Sequence, residues 1–236
     1  MTASGILRPK TPQETFQLMR VALGEENADL TVINAKVVNV YTGEIMPDLG
    51  IGIKGKWIAY VGENAGDTIG RQTKVIDARG HTVIPGLIDG HTHIGWMFTA
   101  ADFLKYAIAG GTTTIVTETI EPYPVCGYEG VVDFLASLND QPIKILATAP
   151  AMVSISRTAR DMPPETLAKL LARDDILGLG ESYWQVVLQE PEQLLPRFEQ
   201  ALTAGKTLEG HSAGARDKKL AAYVAGGISS CHEPIN

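Results

Sequence analysis

The stretch Val83–Ile94, VIPGLIDGHTHI, decides the fold. Its apolar run from Val83 to Ile88, interrupted only by Pro85 and Gly86, reads as a buried strand. The run ends in Asp89, Gly90, His91, Thr92 and His93. Side chains at i and i+2 of an extended strand point to one face, so His91 and His93 present two imidazoles together. Such a pair can ligate a divalent transition metal. Strand-end histidines can equally be satisfied by backbone or water, so the rest of the chain has to decide.

Downstream of His93, strand-like and helix-like segments alternate. Helices are expected at Ala100–Ala109, Tyr128–Leu138, Pro164–Arg173, Pro191–Ala204 and Ala215–Ala225. Strands are expected at Thr112–Glu118, Ile143–Thr148, Ile176–Gly180, Lys206–Leu208 and Gly227–Ser230. Alternation of this kind builds a parallel sheet. With the strand at Val83 it makes six βα units, whereas a closed (β/α)8 TIM barrel needs eight strands and about 250 residues. The expected fold class is therefore α/β, a TIM-barrel metallohydrolase that is incomplete here. Such a barrel exposes two sheet edges, which invite pairing, so the expected partner is a second copy (a homo-oligomer) or a complementing carboxy-terminal chain.

Upstream, Thr11-Pro12-Gln13-Glu14 has the spacing of a helix-starting capping box, and Gly24 is the expected stop. From Asp29 the texture becomes short β-like runs, Leu30–Ile33, Lys36–Val40, Leu49–Ile53, Trp57–Val61 and Lys74–Ile76, with a turn at Asn34-Ala35 between the first two. The expected organisation is an amino-terminal helical segment (1–28), a small β-sandwich-like domain (29–80) and a partial barrel carrying the site (81–236).

Of the 236 residues 44% are hydrophobic and 20% charged, a composition able to form a core. The net charge of −7, without a run of Lys or Arg, argues against nucleic acid or an anionic membrane as partner. No apolar run is long enough to span a bilayer, and Met1–Lys10 lacks a secretory apolar segment. Cys126 and Cys231 are far apart, so free thiols in a reducing cytoplasm are expected.

His91 and His93 end the first barrel strand and Glu181 ends the fourth, while His211 and His232 follow the fifth and sixth. In a parallel barrel these ends share one face, where active sites are built. His81 precedes the first strand and is expected at the other end. Two imidazoles from one strand can hold one ion and the other two a second, with Glu181 bridging. A divalent pair of this kind lowers the pKa of water towards neutrality. Asp89 is expected to orient an imidazole, and Cys231 to be a buried structural thiol.

VIPGLIDGHTH, the strand-end Glu181, LEGHSAG and YVAGGISSCHE resemble the amidohydrolase superfamily. With TVINAKVVNVYTGEI, KWIAYVGE, GGTTTIV and ILGLGES, the chain resembles its adenine deaminase branch over nearly its whole length. The resemblance implies His91 and His93 on a first ion, His211 and His232 on a second, and Glu181 between them in place of the carboxylated lysine of other branches. It implies iron, manganese or zinc, and hydrolytic deamination of adenine or a related small-molecule heterocycle with release of ammonia. The superfamily's proton-shuttling aspartate follows an eighth strand, whose position lies beyond Asn236, so the catalytic base is unassigned.

The loops around the expected pocket depart from that branch. Gly95-Trp96-Met97 stands where it carries Glu-Ser-Ser, the segment Thr117-Glu118-Thr119-Ile120-Glu121 where it carries Asp-Pro-His-Glu after the second strand, and Ser182-Tyr183-Trp184 where it carries Met and Asn. Trp96, Glu121, Tyr183 and Trp184 are the candidate substrate contacts, the aromatic ones by stacking or merely by packing the rim. Two other functions remain open. One is a cyclic amidase of the hydantoinase or dihydroorotase type, against which Glu181 counts. The other is a non-catalytic metal-binding paralogue that needs a partner chain.

Overall fold

Thr11 starts helix α1 (Pro12–Ala22) through a reciprocal capping box. Its Oγ1 accepts the Glu14 amide at 3.2 Å while Glu14 Oε2 accepts the Thr11 amide at 2.8 Å. Gly24, at φ +72°, turns the chain away. The structure is a computed structural model that describes residues 9–152 and 162–233. Packing divides the chain into two units, one ending at Pro85 and one starting at Gly86, with α1 in the same unit as the small sheet.

In the amino-terminal unit, α1 packs on a five-stranded sheet of β1 (Leu30–Asn39), β2 (Glu44–Lys54), β3 (Trp57–Gly62), β4 (Lys74–Asp77) and β5 (Thr82–Val83). β2 runs antiparallel to both β1 and β3, while β4 and β5 pair parallel with β1. The turn expected at Asn34-Ala35 is a bulge inside one continuous strand. Pairing with β2 slips between Val32, Ala35 and Val37, and Asn34 adopts φ +55°. Asparagine tolerates that conformation, and here it is anchored: Nδ2 donates to Asp77 Oδ1 at 2.9 Å, and the carbonyl accepts the Gly80 amide at 2.7 Å. His81 belongs to this unit, with Nδ1 2.7 Å from the Ala78 carbonyl oxygen.

From Gly86 the chain alternates as expected. β6 (Leu87–Thr92) leads through the single turn α2 (Ile94–Met97) to α3 (Ala100–Ala109), then β7 (Thr112–Thr117), α4 (Pro122–Ser137) and β8 (Lys144–Pro150). α5 (Pro164–Leu171), β9 (Ile176–Tyr183), α6 (Trp184–Gln189), α7 (Pro191–Thr203), β10 (Thr207–His211), α8 (Asp217–Ala225) and β11 (Ser230–Cys231) follow. The six strands form one all-parallel sheet in sequence order, β6 to β11. Ile115, Ile145, Ile176, Leu179 and Leu208 form a buried core with Leu104, Leu167, Leu170 and Phe198 from the helices. Helix α4 begins six residues before the expected Tyr128 and kinks at Gly127, φ +67°. Helix α6 was not expected: it is six residues long, lacks a side-chain cap and contains Val186-Val187, so local propensity points elsewhere. Among the described residues no helix is long and apolar enough to cross a membrane.

Candidate metal centre

The parallel register delivers the polar strand ends to one place. His91 lies in β6 and His93 just after it, with their Nε2 atoms 3.2 Å apart. The β7 end fixes this segment: the Glu118 amide donates to the Thr92 carbonyl at 2.8 Å, and the Ile94 amide donates to Thr117 Oγ1 at 3.2 Å.

Glu181 is placed by a bulge. Leu179 pairs with Leu208 and Ser182 with Gly210, so Gly180 and Glu181 together oppose Glu209. Glu181 has φ +40°, in the left-handed region, a conformation that costs a non-glycine residue on the order of 1–3 kcal/mol. In that posture Oε1 lies 3.5 Å from His91 Nε2, 3.5 Å from His93 Nε2, 3.4 Å from His211 Nδ1 and 3.6 Å from His232 Nε2. One carboxylate oxygen thus sits nearly equidistant from four imidazoles. Burial alone would raise the Glu181 carboxyl, but His91 and His93 outweigh it and hold the group far below the usual carboxylate range.

His211 ends β10, and its amide donates to Tyr223 Oη at 2.8 Å. Tyr223, buried in α8, donates in turn to the Ser182 carbonyl, so it ties the ends of β9 and β10 together beside the centre. The ring of His232 stacks on that of His91, with centroids 3.5 Å apart and planes at 3°.

The expected site residues divide clearly. His91, His93, Glu181, His211 and His232 converge. They make up two groups that could hold a metal ion, His91–His93–Glu181 and Glu181–His211–His232, each with its donor atoms within 4.8 Å of one another. Glu121 pairs through Oε1 with His93 Nδ1, which, with Glu181, raises His93 to about 10 against the effect of burial. Glu121 therefore addresses an imidazole rather than open space. Asp89, expected to orient an imidazole, instead accepts the His91 backbone amide at 3.3 Å. Tyr183 donates to Glu181 Oε2 at 3.3 Å, and burial and Glu181 push its phenol up to about 12. Trp184 donates its indole N–H to the Ala213 carbonyl at 2.8 Å, which fixes the ring at the end of β9. Trp96 is 71% exposed, its ring 5.5 Å from that of His93. Cys231 is half-buried rather than buried, with Sγ 2.9 Å from Ser212 Oγ. It lines a cavity of about 410 Å³ together with Asp89, His91, Glu209 and His232.

Two buried glutamates have no role assigned from the sequence. Glu118 and Glu209 form a third group with His91. Burial raises both carboxyls, Glu118 to about 8. Each lies among strand residues of ordinary appearance, and nothing local announces that it faces inward.

The donor set suits a divalent transition ion: four imidazoles around a carboxylate, with one strained backbone position holding the carboxylate in place. His211 Nδ1 is buried and has no hydrogen-bond partner among the described residues, as expected of a lone pair reserved for an ion.

Comparison with known proteins agrees with this chemistry. Residues 82–232 match the model of the amidohydrolase family. The adenine deaminase of Cenarchaeum symbiosum is 33% identical over 224 residues, and that of Moorella thermoacetica 38% over 226. Each alignment covers 93% of this chain but only 37% and 38% of the relative, so the chain spans somewhat more than a third of their length. Among solved structures, N-acyl-D-glutamate deacylase from Bordetella bronchiseptica, complexed with zinc and a phosphonate inhibitor, superposes with a TM-score of 0.62. It is 18% identical and is covered to 52% by 88% of this chain, a likeness of fold.

Proposed function

The chain belongs to the amidohydrolase family, and on that premise we propose that its histidine–glutamate centre serves hydrolytic deamination of adenine or a related heterocycle, with release of ammonia. The observation that carries the reading is the placement of Glu181 Oε1 within 3.4–3.6 Å of four imidazole nitrogens. The adenine deaminases at 33% and 38% identity support the substrate class.

His91 and His93 would hold one divalent ion and His211 and His232 a second, with Glu181 available to both; iron, manganese or zinc fits this donor set. Bound there, the ions supply Lewis acidity and bring the pKa of water towards neutrality. The chain's own residues do the positioning. Glu181 stays ionised through its histidine neighbours and brings the negative charge that two cations need. Tyr183 holds its second oxygen. Glu121 fixes the ring of His93. Trp96 offers an exposed flat face on which a planar heterocycle can stack. In the net reaction, water replaces the exocyclic amino group: the ring carbon gains a carbonyl oxygen, one of the water's protons passes to the amino nitrogen, which departs as ammonia, and the other ends on the adjacent ring nitrogen.

Further βα units, whether from a longer polypeptide, a second copy or a complementing chain, would extend the sheet. β6 and β11 each have a single strand neighbour, and on β6 Leu87 and Ile88 are 50% and 70% exposed. A substituent strand there would cover apolar surface and pair an open edge.

The test is ammonia release from a panel of aminopurines, aminopyrimidines and cyclic amides, using chain loaded in turn with zinc, manganese and iron, alone and with a complementing chain. Ammonia from adenine or a close analogue, lost in His91→Ala, is expected. Ring opening of a cyclic amide without ammonia would overturn the deaminase reading. Tightly bound metal with no turnover of any panel member would overturn the enzyme reading.

A further inference from the structure

Glu118 stands at the end of β7 and has no role in the centre as assigned above. Its backbone amide donates to the carbonyl of Thr92, the residue between His91 and His93, so its position is registered to that pair. Its side chain is 1% exposed, and neither carboxyl oxygen makes a hydrogen bond of good geometry among the described residues, although the Thr148 hydroxyl lies close enough to act on the carboxyl. Leaving such a group unsatisfied costs about 1–3 kcal/mol or more, so its placement calls for a function. Space for it comes from Gly180: a Cβ at that position would collide with both carboxyl oxygens and with Thr148 Oγ1. The carboxyl faces His91. Oε1 lies 3.6 Å from Nδ1 of that ring, whose Nε2 is directed at Glu181 Oε1, 3.5 Å away. Three residues on, Glu121 meets Nδ1 of His93 in the same manner.

We propose that Glu118 is the positioning residue for His91: it accepts the Nδ1–H and thereby fixes the tautomer and ring orientation that turn Nε2 towards the metal centre. The inference rests on the reading of His91 as a metal ligand. A ligating imidazole generally passes its other N–H to a carboxyl or carbonyl oxygen, and losing that acceptor costs 10- to 100-fold in metal affinity. At 3.6 Å the contact is slightly longer than a hydrogen bond, and such contacts commonly tighten once the site is filled. The β7 end thus provides two acceptors at a spacing of three, one for each imidazole of the β6 pair.

Zinc affinity of the whole chain, measured by competition with a chromophoric chelator, tests this. Glu118→Gln keeps an acceptor oxygen at the same reach, whereas Glu118→Leu keeps the bulk without one. The expected result is a 10- to 100-fold loss in E118L and parental affinity to within about threefold in E118Q. Equal affinities in the two variants would overturn the proposal, because packing or charge would then be the whole contribution. A third zinc per chain that disappears in E118Q would overturn it too, by assigning Glu118 to an ion of its own with His91 and Glu209. If E118L does not fold, Gly180→Ala displaces the carboxyl without altering it and is expected to weaken zinc at least about tenfold; parental affinity in folded G180A would contradict the proposal. His91→Ala separates the two claims: if it leaves zinc binding unchanged, the ligand assignment has failed, whatever Glu118 does.

Discussion

The imidazoles of His91 and His232 lie face to face at 3.5 Å, although one belongs to the first strand of the parallel sheet and the other follows the last. Rings from opposite edges meet only because the sheet curls, as twisted parallel strands do when they close towards a barrel. The curl makes one cluster from histidines that would be remote on a flat sheet, and Glu181, on a central strand, reaches all of them.

The first consequence concerns Glu121. Its carboxylate meets Nδ1 of His93, so Glu121→Ala should release that ring and weaken metal binding by roughly 10- to 100-fold without changing the fold. Chelator competition and circular dichroism together check this. Unchanged affinity would return Glu121 to the substrate pocket, where the sequence places it.

Tyr223 joins the ends of β9 and β10, accepting the His211 amide and donating to the Ser182 carbonyl. Tyr223→Phe strands both groups in a buried place, so a destabilisation of about 1–3 kcal/mol is expected. Urea unfolding measures it, and a change below about 0.5 kcal/mol would show that the two strand ends are held by other means.

Trp96 is 71% exposed. Trp96→Ala should therefore leave stability within about 0.5 kcal/mol and metal content unaltered. If the indole stacks on the heterocycle, KM should rise roughly 2- to 10-fold, the equivalent of 0.5–1.5 kcal/mol. An unchanged KM would leave the ring as an ordinary rim residue.

The amino-terminal unit carries its own pH signature. Asp29 accepts the Gly55 amide at 2.7 Å and pairs with Lys54 at 3.1 Å; the Gly55 hydrogen bond first, opposed by desolvation and aided by Lys54, lowers its carboxyl. A carboxylate whose pKa is depressed on folding stabilises the fold above its unfolded pKa, about 3.9, and that contribution is lost as pH falls through the folded value. Asp29→Asn should thus flatten the stability profile below about pH 4. Because the side chain is 56% exposed, the effect should stay under about 1 kcal/mol. A profile identical to the parental one would contradict the role of this contact.

Much of this was readable from the chain itself, because the relevant signals are local. The i, i+2 spacing of His91 and His93 and the capping box at Thr11 each depend on a few neighbouring residues, and α3 runs over the expected Ala100–Ala109. Glu181 and the later histidines could be placed because parallel strands put their carboxyl ends on one face. What escaped depends on tertiary context. Asn34 reads as a turn residue, but its side chain finds Asp77 and the strand continues through a bulge. Glu118 and Glu121 sit in one short acidic run, and only the register of β7 on β6 shows that each addresses its own imidazole. Tyr223 is one aromatic in an unremarkable helix until its hydroxyl is seen between two strand ends.

The central claim is a pair of ions sharing Glu181, and metal stoichiometry tests it most directly. Chain reconstituted with zinc, freed of loose metal and analysed by mass spectrometry for zinc per protein, should hold two ions, as the two ligand groups require. Glu181→Gln should hold fewer than one, because both groups lose their shared anion. One ion or none in the parental chain, or two ions retained in E181Q, would contradict the account.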